Sequence, residues 1–290
     1  MKFLPTLVLL TAACVSAAQR PSAAQFDGAR AYEHVRQLVA IGPRPAGSPG
    51  AQKAREYIKK ELAALGLTVD EQSFDARTPL GSIPMVNLRA ALGGSATALR
   101  LIIGGHYDTK LFKDRTFVGA NDGGSSAAFL IEFARALKQR APAVPVELLF
   151  LDGEEAVVEW QGDDNTYGSR HYVQAAVKDG TLEQIAAFVL VDMIGDRDLR
   201  IKRETQSTPW LTEIIWNRAR ALGRSQFVDE VTPVLDDHVP FLEAGVPAVD
   251  IIDLEYPDWH EASDTLDKIS ADSGDVLLSA LPEIEKRVRQ

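Results

Sequence analysis

Two adjacent carboxylates, Glu154 and Glu155, follow directly on the apolar run of "FLDGEEA" at residues 150–156. His106 and Asp108 follow "LIIGG", Asp192 closes "FVLV", Asp250 closes "VPAV", and Asp122 and His260 lie in segments after such runs. Each run reads as a buried strand, and open α/β sheets bind ligands beyond the carboxyl ends of their strands. Four strands would therefore deliver acids and imidazoles to one rim. Carboxylates crowded together repel one another unless a cation sits among them. A mixture of imidazole nitrogen and carboxylate oxygen favours zinc, and three protein ligands with one open position is the catalytic arrangement.

Taken singly, each residue has a plainer reading. Asp122 precedes "GGSSAAFLIEFARAL" and could cap that helix. Glu154 and Glu155 could be first-turn acids favoured by a helix dipole. A lone His106 or His260 is more often a hydrogen-bonded structural residue than a ligand. Capping and dipole effects do not predict a shared rim, and that joint placement tips the balance towards a metal. Trp160, just after the glutamate pair, and Trp259, directly before His260, read equally as core residues or as pocket walls. His34 lies in an amphipathic helix and reads as structural or solvated, whereas His171 reads as packing or as a support for the residues of the nearby site.

These positions need a scaffold. Two amphipathic helices open the fold. In the second, Ser48 and Pro49 supply a cap and a first-turn proline, Ala54, Tyr57, Ile58, Leu62 and Leu65 recur at helical spacing, and Gly66 ends it. Strand-like runs at 67–74, 85–92, 99–105, 146–152, 188–194 and 246–252 then alternate with helical segments near 123–139, 168–178, 208–222 and 273–288. Continuous apolar strands between helices predict the α/β class, a three-layer α/β/α sandwich around a central mixed, mostly parallel sheet. The two early strands alternate more strongly, which predicts an antiparallel edge.

With 290 residues and 46% hydrophobic content, the chain can bury one large core, and no linker divides it. At the N-terminus, "MKFLPTLVLLTAACVSAAQ" places Lys2 before an apolar run and small residues at 16–18, the pattern of a cleaved secretory signal too short to span a bilayer. The expected organisation is a signal peptide at 1–18, a disordered leader at 19–25 and one domain at 26–290, exported to the periplasm or the extracellular space. The only cysteine, Cys14, falls in the signal, so the mature domain has no disulfide; Thr11 stands where lipid attachment at Cys14 would call for a larger aliphatic residue. A net charge of −10 argues against nucleic acid as a partner. No later apolar run is long enough for a transmembrane helix.

The motifs "GGHYDTK", "FVGANDGGSSAA", "FLDGEEAVVEW", "DDNTYGSRHYV", "LVDMIG", "DDHVPFLEAGVP" and "DWHEASDTLDKIS" occur in the order and spacing of the zinc-dependent M28 peptidase superfamily. Within it the chain most resembles the animal-type glutaminyl-peptide cyclotransferases, from about Phe26 to the C-terminus, and "GPRPAGSPG" near residue 42 fits the opening of this group. The resemblance implies a zinc-dependent exopeptidase-like fold, with Asp122, Glu155 and His260 as ligands of one zinc ion and Glu154 as general acid/base. Asp192 and Asp236 would belong to the catalytic hydrogen-bond network, and Trp160 and Trp259 would lie beside the substrate. In two-metal aminopeptidases the positions of His106 and Asp192 bind a second zinc, with the Asp122 position bridging. Three departures stand out: Asp250 where the animal cyclases have histidine, a peptidase-like "EASDTLDKIS" after the WH pair, and a spacing from Asp236 to His260 about one residue shorter.

The implied activity is closure of the N-terminal glutamine of peptides or proteins to pyroglutamate with release of ammonia. One glutamate would hold the metal while its neighbour moves protons. The rival reading uses the same parts: an M28-type aminopeptidase in which Glu154 activates water to hydrolyse the first peptide bond. A zinc-stabilised binding protein without turnover would need no base, so the retained Glu154 argues against it.

Overall fold

The computed structural model describes residues 25–93, 99–270 and 274–290. The expected signal peptide, and the leader apart from Gln25, lie outside the described residues, as does Cys14.

Helices α1 (Gly28–Ile41) and α2 (Pro49–Ala64) come first. The start of α2 is set locally: Pro49 occupies the first turn and the Ser48 hydroxyl accepts from the Ala51 N–H at 3.1 Å. Strands β1 (Val69–Thr78) and β2 (Gly81–Leu92) form the expected antiparallel edge. There follow β3 (Arg100–His106), α3 (Gly124–Lys138), β4 (Val146–Leu151), α4 (Tyr167–Lys178), β5 (Ile185–Asp192), β6 (Ile201–Glu204), α5 (Pro209–Ala221), β7 (Phe227–Thr232), α6 (His238–Glu243), β8 (Ala248–Ile252) and α7 (Asp275–Val288). The main sheet has six strands in the order β1-β2-β4-β3-β5-β8, with β3, β4, β5 and β8 mutually parallel and β2 antiparallel to β4. Neighbourhood replaces chain order because parallel strands need crossovers, and the helices provide them.

The apolar runs lack polar alternation because both faces of the sheet are covered. Leu101, Ile103, Leu148, Phe150, Val189 and Val191 face the layer of α1, α2, α3, α5 and α7. Ile102, Leu149, Leu151, Phe188 and Leu190 face α4 and α6. Among the described residues no helix is long and apolar enough to cross a membrane.

Two features depart from the expected pattern. The short, charged β6 and β7 pair in parallel as a separate two-stranded sheet, with Arg203 against Asp229 and Lys202 against Glu230. Asp250 does not close its strand. It sits inside β8, fully buried, and neither carboxylate oxygen has a hydrogen-bond partner among the described residues.

The candidate metal centre and its cleft

Because β3, β4, β5 and β8 run the same way, their carboxyl ends share one edge of the sheet. His106 is the last residue of β3 and Asp192 the last of β5. The loop after β3 carries Asp122, the loop after β4 carries Glu154 and Glu155, and the loop after β8 carries His260.

Asp122 does not cap α3, whose N-cap is Gly123 with no side-chain capping bond. The loop is held instead by Asp264, which accepts the main-chain N–H groups of Asn121 (2.9 Å) and Asp122 (3.1 Å). From the other side the fully buried Arg44 of "GPRPAGSPG" donates to the carbonyls of Tyr107, Val118 and Gly119 at 3.0, 2.7 and 2.9 Å. Gly123 has φ +74°, and a Cβ there would lie 2.3 Å from the Asp108 carbonyl oxygen and 3.0 Å from the His106 ring. Glycine is required for this close approach.

After β4 no helix begins until Tyr167, so Glu154 and Glu155 lie in a long loop and the helix-dipole reading does not apply. The pair is oriented by Asp108, which sequence reasoning placed on the rim without assigning it a role. Its carboxylate accepts the N–H groups of Glu154 (3.2 Å) and Glu155 (3.4 Å) and lies 3.4 Å from His106 Nδ1.

Asp122, Glu155 and His260 meet at one point. His260 Nε2 is 3.1 Å from Glu155 Oε1 and 3.4 Å from Asp122 Oδ2. Metal–ligand bonds of about 2.0–2.1 Å in a tetrahedral site set ligand atoms about 3.3 Å apart, the length of the two sides that meet at His260. Asp122 Oδ2 and Glu155 Oε2 are buried without a hydrogen-bond partner among the described residues. Buried anionic oxygens left in this way suit a cation. A second set shares Asp122: His106 Nε2 lies 3.3 Å from Asp122 Oδ1 and 3.0 Å from Asp192 Oδ1. The two carboxylate oxygens of Asp122 thus face different histidines. His260 has φ +58°, and Met193, next to Asp192, φ +44°. Left-handed backbone is strained for non-glycine residues and concentrates at functional sites.

Burial raises the Asp122 carboxyl to about 6, with the Glu155 charge adding and His106 opposing. Burial also lifts Glu154 and Asp236 well above the usual carboxylate range. Asp237 is raised to about 7 and Asp264 to about 6, again chiefly by burial. A carboxyl whose folded pKa exceeds its unfolded value stabilises the fold while protonated and loses that contribution as pH rises through the folded value. The chelator-treated protein should therefore show a falling Tm between about pH 5 and about pH 8, and a divalent cation should remove most of the decline. Calorimetric scans across that range check it; a Tm of the chelated protein that rises with pH would contradict it.

Above the triangle opens a cavity of about 520 Å³. Glu154, Asp192 and Asp236 lie in its floor, and Trp160 and Trp259 line it, 37% and 44% exposed, so neither is a core residue. The Trp259 ring packs on His260 with centroids 4.6 Å apart, while Phe112 and Phe117 meet that imidazole edge-on. Lys110 and the apolar Val158, Val234 and Leu235 also line it; sequence reasoning missed them because loop residues carry no periodic signal. His34 hydrogen-bonds Tyr57 at 2.6 Å and His171 stacks on Phe74, both away from the metal ligands.

Residues 87–281 match peptidase family M28. The chain is 34% identical over 273 residues to the glutaminyl-peptide cyclotransferase-like protein of Mus musculus, covering 83% of this chain and 70% of that one. It superposes on the crystal structure of an Acidobacteriales bacterium glutaminyl cyclase with TM-score 0.83 and 39% identity, covering 96% of this chain and 99% of the other. The Fimbriiglobus ruber glutaminyl cyclase gives TM-score 0.81 and 36% identity over 88% of this chain and 95% of its own.

Proposed function

The chain belongs to peptidase family M28 and its glutaminyl-peptide cyclotransferase branch, and on that premise we propose that it converts the N-terminal glutamine of peptides or proteins to pyroglutamate, releasing ammonia. The supporting observation is the buried Glu154 carboxyl in the floor of an indole-walled cavity, beside one imidazole and two carboxylates that converge as a metal triangle.

Asp122, Glu155 and His260 would hold zinc, and a bound zinc ion supplies Lewis-acid polarisation of the side-chain amide oxygen. The chain's own groups account for the remainder. The substrate's α-amine attacks its own side-chain amide carbon, a C–N bond forms, and the bond to the amide nitrogen breaks. Glu154 takes the proton from the attacking amine and returns it to the departing ammonia; burial raises this carboxyl well above the usual carboxylate range, which strengthens it as a base. Asp236 and Asp192 face the same cavity and would hold the leaving nitrogen; Asp192 is itself fixed by Ser126 Oγ at 3.2 Å and the Met193 N–H at 2.8 Å. Nucleophile and electrophile share one molecule, so the main work is to fold the substrate into an attack geometry between Trp160 and Trp259.

A second reading draws on the set His106, Asp122 and Asp192, with separations of 3.0 and 3.3 Å, which would suit a second ion and an aminopeptidase. Mass spectrometry of a Gln-initiated and a Leu-initiated peptide separates the two. Loss of one ammonia from the first peptide, with the second intact, is expected. Release of free leucine would replace the cyclase reading with the peptidase one.

A further inference from the structure

Between Glu155 and α4 the chain makes an outer arc that carries Trp160 at the mouth of the cavity. The base of this arc is pinned independently: Thr166 N–H donates to the Glu154 carbonyl and Tyr167 N–H to the Gly153 carbonyl, each at 2.8 Å, while Lys110 Nζ donates to the Ala156 carbonyl at 2.6 Å. Beyond it Val157 packs against the small cluster of Ala76, Met85 and Tyr167, whereas Val158 is 54% exposed and Trp160 lines the cleft. Arg170 holds the far side of the arc through the Asp163 and Asn165 carbonyls, and Asp164 holds the 157–159 segment that leads to Trp160. The Asp164 side chain, only 6% exposed, accepts the successive main-chain N–H groups of Val157, Val158 and Glu159 at 2.9, 2.8 and 2.9 Å, and the Tyr167 hydroxyl at 2.6 Å. Three consecutive amides converging on one carboxylate form an anion nest filled from within the same loop. Trp160 is the next residue after the last of these amides.

We infer that Asp164 is a positioning residue for substrate recognition, acting through Trp160: its carboxylate closes the 157–160 arc and fixes the indole that walls the cavity. The inference rests on the function proposed above for the role of the cavity. It assigns Asp164 no part in proton transfer or metal binding, because the separately pinned base keeps Glu154 and Glu155 in place. Replacement by asparagine preserves the shape, supplies one acceptor oxygen in place of two and removes the charge, so the arc loosens while the catalytic floor remains.

The test is a double-mutant cycle on Asp164→Asn and Trp160→Ala in the full chain, with steady-state kinetics on a Gln-initiated peptide and zinc content measured for each variant. Each single variant is expected to raise KM about tenfold with kcat changed less than about threefold and zinc retained, and the double variant to be no more than about twofold worse than the poorer single. Multiplying effects, about a hundredfold in KM for the double variant, would overturn the inference, as would a fall in kcat or zinc content with KM unchanged. Tyr167→Phe, which removes one of the four donors and leaves the main chain alone, carries the same cycle should Asp164→Asn not fold. If the wild-type protein releases leucine rather than ammonia, the cyclase reading fails, and the cycle run on the leucine peptide still decides the role of Asp164.

Discussion

Glu154→Gln is expected to lower kcat by about 10²- to 10⁴-fold while the protein keeps its zinc. The substitution preserves shape and removes only the ability to carry a proton. Glu154 is not part of the Asp122, Glu155 and His260 triangle, and its main-chain N–H is bound by Asp108, so the metal site should survive. Its carboxyl is raised by burial first and then by the nearby Asp236 and Glu155 charges, against the pull of His106. A carboxyl in that place can take up a proton and give it back, whereas the amide can do neither. Substrate affinity should change little, because the indole walls are untouched. Kinetics and metal analysis on the same preparation check this, and unimpaired kcat with full zinc content would remove Glu154 from the proton-transfer role.

His260→Ala and Glu155→Ala are expected to lose zinc on dialysis and to lose activity by about a thousandfold or more, since the metal supplies several kcal/mol of transition-state stabilisation. The two variants should nevertheless differ in stability. His260→Ala leaves Asp122 and Glu155 facing one another without the imidazole that lies 3.4 and 3.1 Å from them. Glu155→Ala removes the charge that, after burial itself, does most to raise Asp122. Metal-free Glu155→Ala should therefore melt higher at alkaline pH than metal-free His260→Ala, because two buried carboxylates facing one another cost more than Asp122 alone beside His106 and His260. Full metal occupancy in both variants would end the case for this ligand set.

The two predictions depend on different kinds of information. The alternation of apolar runs with helical segments was legible, as were the helix boundaries near 124, 167, 209 and 275, because burial on both faces of a sheet and on one stripe of a helix leaves a periodic trace. The same trace located the chemistry, since in a parallel sheet the residue after each apolar run must lie on the common carboxyl edge. The parts that left no trace are those without periodicity or with too little burial: the charged β6 and β7, the short α6, and the long loop between β4 and α4. Asp250 was misjudged as a strand end because composition alone cannot tell a buried mid-strand acid from a terminal one.

By itself, the sequence determined the main-sheet strands and the long helices, which edge of the sheet collects acids and imidazoles, and why a cation among them is expected. The tertiary structure decided which atoms meet: that Glu155 turns to His260, that Asp122 faces two histidines with its two oxygens, and that Asp264 holds the Asp122 loop across 142 residues of chain. The physical reason is range. Periodicity and capping act over a few neighbouring residues, whereas hydrogen bonds between loops distant in sequence are set only once the whole sheet has packed and brought its carboxyl ends together.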